Sequence, residues 1–311
     1  MYFENIKGQQ FAKKYLSNSL KSNMISHAYM FEGPSGVGKN TLARELSRIL
    51  LEMENLFNSP DYIEIKPDGN SIKIAQIRKM QTDILVKPYK SYKIYVFDEA
   101  QKMTVEAQNA LLKTLEEPPK YAIIILITNN KESLLDTIKS RCEIIKFTPI
   151  PIKDIADYLV KTGVDEKRAS LLANFSRGSM QKAIELSESE DFYIMREEIQ
   201  KYIETFLNGN LIDIMEVQSS IEKYKDQIIN VLDLMINYFR DIIMVKENID
   251  NSMIINLDKL VFIKNMSKKI TYSQLSKIID IIEETKNKLR SNCNFNISIQ
   301  VMTLNIYEVI K

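Results

Sequence analysis

One nine-residue stretch, Gly33-Pro34-Ser35-Gly36-Val37-Gly38-Lys39-Asn40-Thr41, limits what this chain can fold into more than any other. A short apolar run, Ala28 to Phe31, precedes it, and a helical pattern, Leu42 to Leu51, follows. Strand, glycine-rich loop and helix form the setting in which backbone N–H groups turn inward around phosphate oxygens. The helix N-terminus adds positive potential there, and Lys39 reaches the outer phosphates. Such loops carry Ser or Thr directly after the lysine, because that hydroxyl ligates Mg²⁺. Here the position is Asn40, and the hydroxyl comes one residue late, at Thr41. Three of the chain's 8 glycines fall between Gly33 and Gly38, which weighs against a tight turn that binds nothing. The substitution opens the reading of a loop that binds nucleotide but handles Mg²⁺ poorly.

The chain has 311 residues, enough for two or three domains. A net charge of +1 gives no basic field for autonomous DNA binding and no attraction to a membrane surface. No apolar run approaches the length of a membrane span, and the N-terminus lacks the pattern of a signal peptide. Two cysteines, Cys142 and Cys293, and one histidine, His27, make neither a disulfide framework nor a zinc site. A reducing, cytoplasmic location is the default expectation.

Along the chain, residues 5 to 22 read as a helix, with Ala12, Tyr15, Leu16 and Leu20 on one stripe. Tyr62 to Ile65 reads as a second strand and Ile74 to Leu85 as a helix ended near Pro88. Lys93 to Phe97 is a buried-type strand that closes on Asp98-Glu99. Carboxylates at the end of a parallel strand lie where ligands bind in open α/β sheets. One can hold Mg²⁺ through water, and the next can polarise an attacking water. The plain alternative is a polar strand end, and the upstream phosphate loop favours the functional reading. Thr104 caps a helix to Leu115, and Ala122 to Ile127 is the most apolar strand, ending in Thr128-Asn129-Asn130. A helix follows, then Ser140-Arg141-Cys142 and a strand from Glu143 to Phe147. This alternation predicts a parallel sheet covered on both faces.

Pro149-Ile150-Pro151 marks a domain boundary, after which strand signals nearly vanish. Ile152 to Val160, Glu166 to Phe175 and Ser179 to Leu186 read as three short helices. A second boundary falls near Ser187-Glu188-Ser189-Glu190. Long helices fill the rest, including Ile221 to Val245 and Tyr272 to Leu289, with apolar stripes of the kind that form a bundle core.

These residues together resemble the bacterial DNA polymerase III clamp-loader AAA+ family, and within it the delta-prime subunits. Ile6-Lys7-Gly8-Gln9 resembles the family's adenine-pocket segment, and His27-Ala28-Tyr29-Met30-Phe31 is similar to its His-Ala-Tyr-Leu-Phe strand. Asn109-Ala110-Leu111-Leu112-Lys113-Thr114-Leu115-Glu116-Glu117-Pro118 is a long and specific match, and Ser140-Arg141-Cys142 is the family's Ser-Arg-Cys signature. Asn292-Cys293-Asn294 followed by Ile297, Val301 and Leu304 resembles the delta-prime collar ending. The resemblance implies a P-loop α/β domain with a five-stranded parallel sheet over residues 1–148. It also implies a three-helix lid over 149–188 and an all-helical oligomerisation collar over 189–311. Gly33 to Thr41 would hold ATP or ADP, with Mg²⁺ when nucleotide is bound, Asn129 would be a sensor beside it, and Asp98 and Glu99 the acidic pair. Arg141 would reach the nucleotide of a neighbouring subunit. The partners implied are gamma/tau and delta subunits in a hetero-pentamer that loads a sliding clamp onto primed DNA, as part of the DNA-directed DNA polymerase holoenzyme.

Three departures bear on the chemistry. Glu52 to Pro60 lacks the cysteines of the family's zinc module, so no zinc is expected. Asn40 replaces the motor subunits' Thr or Ser. The Gly-Ser-x-Arg sensor reads Gly178-Ser179-Met180-Gln181, and Gln181 cannot bring an arginine's charge to a phosphate. The expectation is a non-motor subunit with weak or no ATPase of its own. The alternative is an active gamma/tau-like ATPase subunit, which Lys39, Asp98 and Glu99 favour. A remodelling AAA+ protein or a small subunit of the archaeal or eukaryotic kind fits the His-Ala-Tyr segment and the collar ending less well.

Overall fold

The structure, a computed structural model, describes residues 2–250 and 253–311. The chain divides into two compact units, residues 1–187 and 188–311.

The first unit runs α1 (Gln10–Lys21), β1 (Ala28–Glu32), α2 (Lys39–Leu51), β2 (Tyr62–Ile65), α3 (Ile74–Asp83), β3 (Lys93–Phe97), α4 (Val105–Glu116), β4 (Ala122–Thr128), α5 (Asp136–Lys139) and β5 (Glu143–Lys146). Its five strands form one parallel sheet in the order β2-β3-β4-β1-β5. Successive side chains leave a strand on opposite faces, so a sheet with two covered faces needs strands that are apolar throughout. Tyr29, Phe31, Ile94, Val96, Ile123 and Ile125 pack on one face with Leu42 and Leu46 of α2 and Leu16 of α1. Met30, Tyr95, Phe97, Ile124 and Leu126 pack on the other with Ile77 of α3 and Leu111 of α4. This is why β3 and β4 read as unbroken apolar runs. Thr104 caps α4 as expected, accepting from the Ala107 N–H at 3.2 Å.

α1 begins at Gln10, later than the periodicity suggests. Gly8 (φ +66°) and Gln9 (φ +53°) are left-handed, a backbone that no helix continues. Three further helices complete this unit, α6 (Ile152–Lys161), α7 (Glu166–Phe175) and α8 (Met180–Glu188). The Ile150 N–H donates to the Gly178 carbonyl at 2.9 Å and ties the last of these back to the end of the sheet.

An ion-pair cluster fastens α2 to the edge strand β2. Arg44 donates to Glu64 from Nε (2.7 Å) and Nη2 (3.1 Å), the Tyr62 hydroxyl donates at 2.6 Å, and Lys66 lies at 3.1 Å. Burial alone would raise the Glu64 pKa, but these donors outweigh it and hold the carboxyl down to about 2. A carboxyl lowered on folding contributes stability above its unfolded pKa and loses it as pH falls towards the folded value. Glu64→Gln should therefore cost about 1–2 kcal/mol at pH 7, and the difference from the parent should narrow as pH falls below about 4.5 and close only near pH 2. Urea unfolding of both chains across that range checks it.

The second unit is helical: α9 (Glu190–Asn208), α10 (Leu211–Glu222), α11 (Ile228–Lys246), α12 (Leu260–Ser267), α13 (Tyr272–Arg290) and α14 (Phe295–Ile310). Ser189 caps α9 and Thr271 forms a capping box with Gln274 on α13. The helix expected from Ile221 to Val245 is interrupted, because residues 223–227 form a turn before α11. No Gly or Pro marks that turn. Tertiary contact holds it, since the Tyr224 hydroxyl donates to Glu198 of α9 at 2.7 Å. Among the described residues, no strand lies beyond β5 and no helix is long and apolar enough to cross a membrane.

Candidate nucleotide site

The loop from Gly33 to Gly38 leaves β1 at the carboxyl edge of the sheet, with β4 and β5 on either side of that strand. α2 starts at Lys39, and Gly38, its N-cap, supplies no side-chain capping bond. The first-turn N–H groups of α2 are thus left for a ligand, the condition under which helix starts bind anions. Lys39 is buried, and its Nζ donates to the carbonyls of Gly33 (2.6 Å) and Pro34 (2.5 Å). Burial lowers its pKa to about 8, and the Asp98 carboxylate partly opposes that shift.

Asn40, not Thr41, faces the acidic pair. Its Nδ2 donates to Asp98 Oδ1 at 3.0 Å. Glu99 has a left-handed backbone (φ +53°), and its carboxylate is paired with Lys102 at 3.0 Å. Asn129 Nδ2 lies 3.5 Å from Ser35 Oγ, so β4 delivers the expected polar side chain to the loop. Gln181 approaches from α8. Its N–H donates to the Gly36 carbonyl at 3.2 Å, and its side-chain amide is turned to Glu185 at 2.9 Å. Gly36 has φ +74°, and a Cβ there would stand 2.0 Å from Ser179 Oγ and 3.1 Å from Gln181 Cβ, so glycine eases the approach of this segment to the loop.

These residues line a cleft of about 740 Å³. Asn5, Ile6 and Lys7 line it from the N-terminal segment, and Ile150, Tyr158 and Ile184 add an apolar wall. Tyr158, Ile184 and Glu185 carry no local motif that would single them out. Gln9, the last residue of the Ile6-Lys7-Gly8-Gln9 segment, holds the loop in place. Its Nε2 donates to the carbonyls of Val37 (3.2 Å) and Thr148 (2.7 Å), and its Oε1 accepts from the Thr148 N–H (3.1 Å). One amide thus pins the loop to the chain leaving β5.

The open helix start, the buried lysine and the apolar wall fit a nucleotide with its phosphates on the loop. The acidic side of the cleft does not fit Mg²⁺ in the same way. Where a metal-ligating hydroxyl is required, an amide N–H is hydrogen-bonded to the carboxylate instead.

Arg141 does not line this cleft. It precedes β5 and donates from Nη2 to Glu116 Oε1 at 2.6 Å and from Nη1 to the Thr137 carbonyl at 2.8 Å. Two acidic residues close to it in sequence, Glu143 and Asp136, are engaged elsewhere. Glu143 accepts from the Tyr15 hydroxyl, and Asp136 pairs with Lys139.

The family described as DNA polymerase III, delta subunit, matches residues 8–151, and that described as DNA polymerase III, delta subunit, C terminal, matches residues 190–306. The chain is 33% identical over 306 residues to DNA polymerase III subunit delta' of Bacillus subtilis, covering 90% of this chain and 91% of that one. It is 33% identical over 209 residues to DNA polymerase III subunit gamma of Buchnera aphidicola from Schizaphis graminum, over 60% of this chain and 57% of the relative. The crystal structure of a DNA polymerase III gamma subunit-related protein from Thermotoga maritima superposes with a TM-score of 0.54 at 20% identity. It covers 95% of this chain and 99% of that one, a likeness of fold.

Proposed function

Because this chain belongs to the bacterial DNA polymerase III clamp-loader family, we propose that it serves as a delta-prime-like, non-motor subunit. In that reading it assembles with gamma/tau and delta subunits in a hetero-pentamer that places a sliding clamp on primed DNA in the cytoplasm. Residues 149–188 act as a lid, and residues 189–311 as the oligomerising collar. Arg141 is supplied in trans to the nucleotide of an adjoining motor subunit.

One observation carries the reading. The cleft keeps the groups that grip phosphate and has changed those that manage metal and γ-phosphate, since Asn40 bonds Asp98 and Gln181 is turned to Glu185. ATP or ADP would rest on Gly33 to Thr41 with Lys39 at the outer phosphates. Hydrolysis needs a positioned water and compensated charge on the transferring phosphoryl group. Glu99 is paired with Lys102, and no arginine stands at position 181. An active gamma/tau-like ATPase is the second reading, favoured by the retained Lys39, Asp98 and Glu99.

Mixing the purified chain with gamma/tau and delta subunits tests the assignment. Co-elution in one complex on size exclusion is the expected result. Failure of the folded chain to join any complex would remove the assignment.

A further inference from the structure

We propose that the cleft takes its nucleotide without a divalent cation, the Asn40–Asp98 hydrogen bond standing where a metal would be held. This rests on the reading of the cleft as a nucleotide site and adds a rule for what accompanies the nucleotide.

An ionised carboxylate can only accept hydrogen bonds, so the atom of Asn40 that meets Asp98 Oδ1 at 3.0 Å is the amide nitrogen. An amide N–H has no lone pair to offer a metal. It satisfies Asp98 directly and leaves that oxygen less free to hold a cation or its water. Mg²⁺ demands near-octahedral oxygen ligands at about 2.0–2.1 Å and keeps several waters. Admitting it here means breaking the Asn40–Asp98 bond and turning the amide over.

The neighbouring groups do not make good the loss. Thr41 lines the cleft but lies one residue farther round α2, a turn of about 100° from Asn40, and it is Asn40, not Thr41, that bonds Asp98. Glu99 is drawn to Lys102 at 3.0 Å. The positive charge that phosphate oxygens require comes from the protein itself, through Lys39 and the uncapped start of α2. Lys39 is free to serve, because its present partners are two carbonyls of its own loop, which a phosphate oxygen would outbid.

The test is ADP and ATP binding to the full chain by titration calorimetry, once with Mg²⁺ and once with EDTA. The expected result is a Kd that changes by less than about threefold between the two conditions. Asn40→Thr, which restores the hydroxyl and frees Asp98, should make binding metal-dependent by about tenfold or more. The wild-type comparison needs no variant, so a poorly folding Asn40→Thr would not cost the test. Wild-type binding that weakens tenfold or more in EDTA overturns the inference and leaves the nucleotide reading intact. No binding in either condition overturns both, and the two failures are told apart by the Mg²⁺ arm alone.

Discussion

Arg141→Ala should leave this chain folded and able to join its complex while lowering ATP turnover at the adjoining motor site by roughly 10³- to 10⁵-fold, the range an arginine in trans contributes in other nucleotide hydrolases. Arg141 is held before β5 by Glu116 and the Thr137 carbonyl, outside its own chain's cleft. That places the guanidinium away from its own subunit's candidate nucleotide cleft. Its ion pair with Glu116 is partly exposed, at 33% and 49% of the two side chains, so losing it should change stability by less than about 1 kcal/mol. Arg141→Lys should not restore turnover, since a point charge does not reproduce the planar fork that meets phosphate oxygens. Single-turnover ATPase of the reconstituted complex reads both variants. Clamp loading and hydrolysis at the unmodified rate would end the trans role.

Gly33→Ala should destabilise the first unit by about 2–5 kcal/mol. Gly33 has φ +154°, which side chains with a Cβ rarely adopt. An added Cβ would stand 2.3 Å from the Phe147 carbonyl oxygen and 2.9 Å from Phe147 Cβ. Neither can yield easily. Phe147 donates its N–H to the Glu32 carbonyl at 2.7 Å, and its ring packs on Phe31 with centroids 5.2 Å apart. Relief therefore requires the ends of β1 and β5 to separate, and the carbonyl of Gly33 that receives Lys39 moves with them. The urea midpoint should fall and nucleotide binding should weaken together. A midpoint within experimental error of the parent would show that this close approach does not exist in solution.

Local patterns made much of the first unit legible. Unbroken apolar runs at β3 and β4 meant two covered faces, and Thr104 announced the start of α4. The strand, glycine-rich loop and helix around Lys39 and the strand end at Asp98 were readable because they are set by local spacing in the chain. What was not legible depends on partners far away in sequence. Gln9 looked like part of a helix, yet it bonds Thr148, 139 residues on. The turn at residues 223–227 has no breaking residue and is held by Glu198. Tyr158 and Ile184 read as ordinary positions on helical stripes, and only the return of α6 and α8 to the sheet makes them a cleft wall. Glu116 sat in plain view in the Leu-Glu-Glu-Pro motif, but nothing in the chain's order joins it to Arg141. The bond from Asn40 to Asp98 lay between the two. The substitution was visible, and its partner, 58 residues away, was not.

The central claim is that this subunit contributes an arginine and a nucleotide-sized cleft but no motor of its own. Steady-state ATP turnover by the isolated full chain, measured beside an isolated gamma/tau subunit, addresses it most directly. The expected result is turnover at or near background for this chain, and still well below the motor subunit in Asn40→Thr, because Gln181 remains and no neighbour supplies an arginine. Turnover by the unmodified chain comparable to that of the motor subunit would contradict the claim and make this chain a motor.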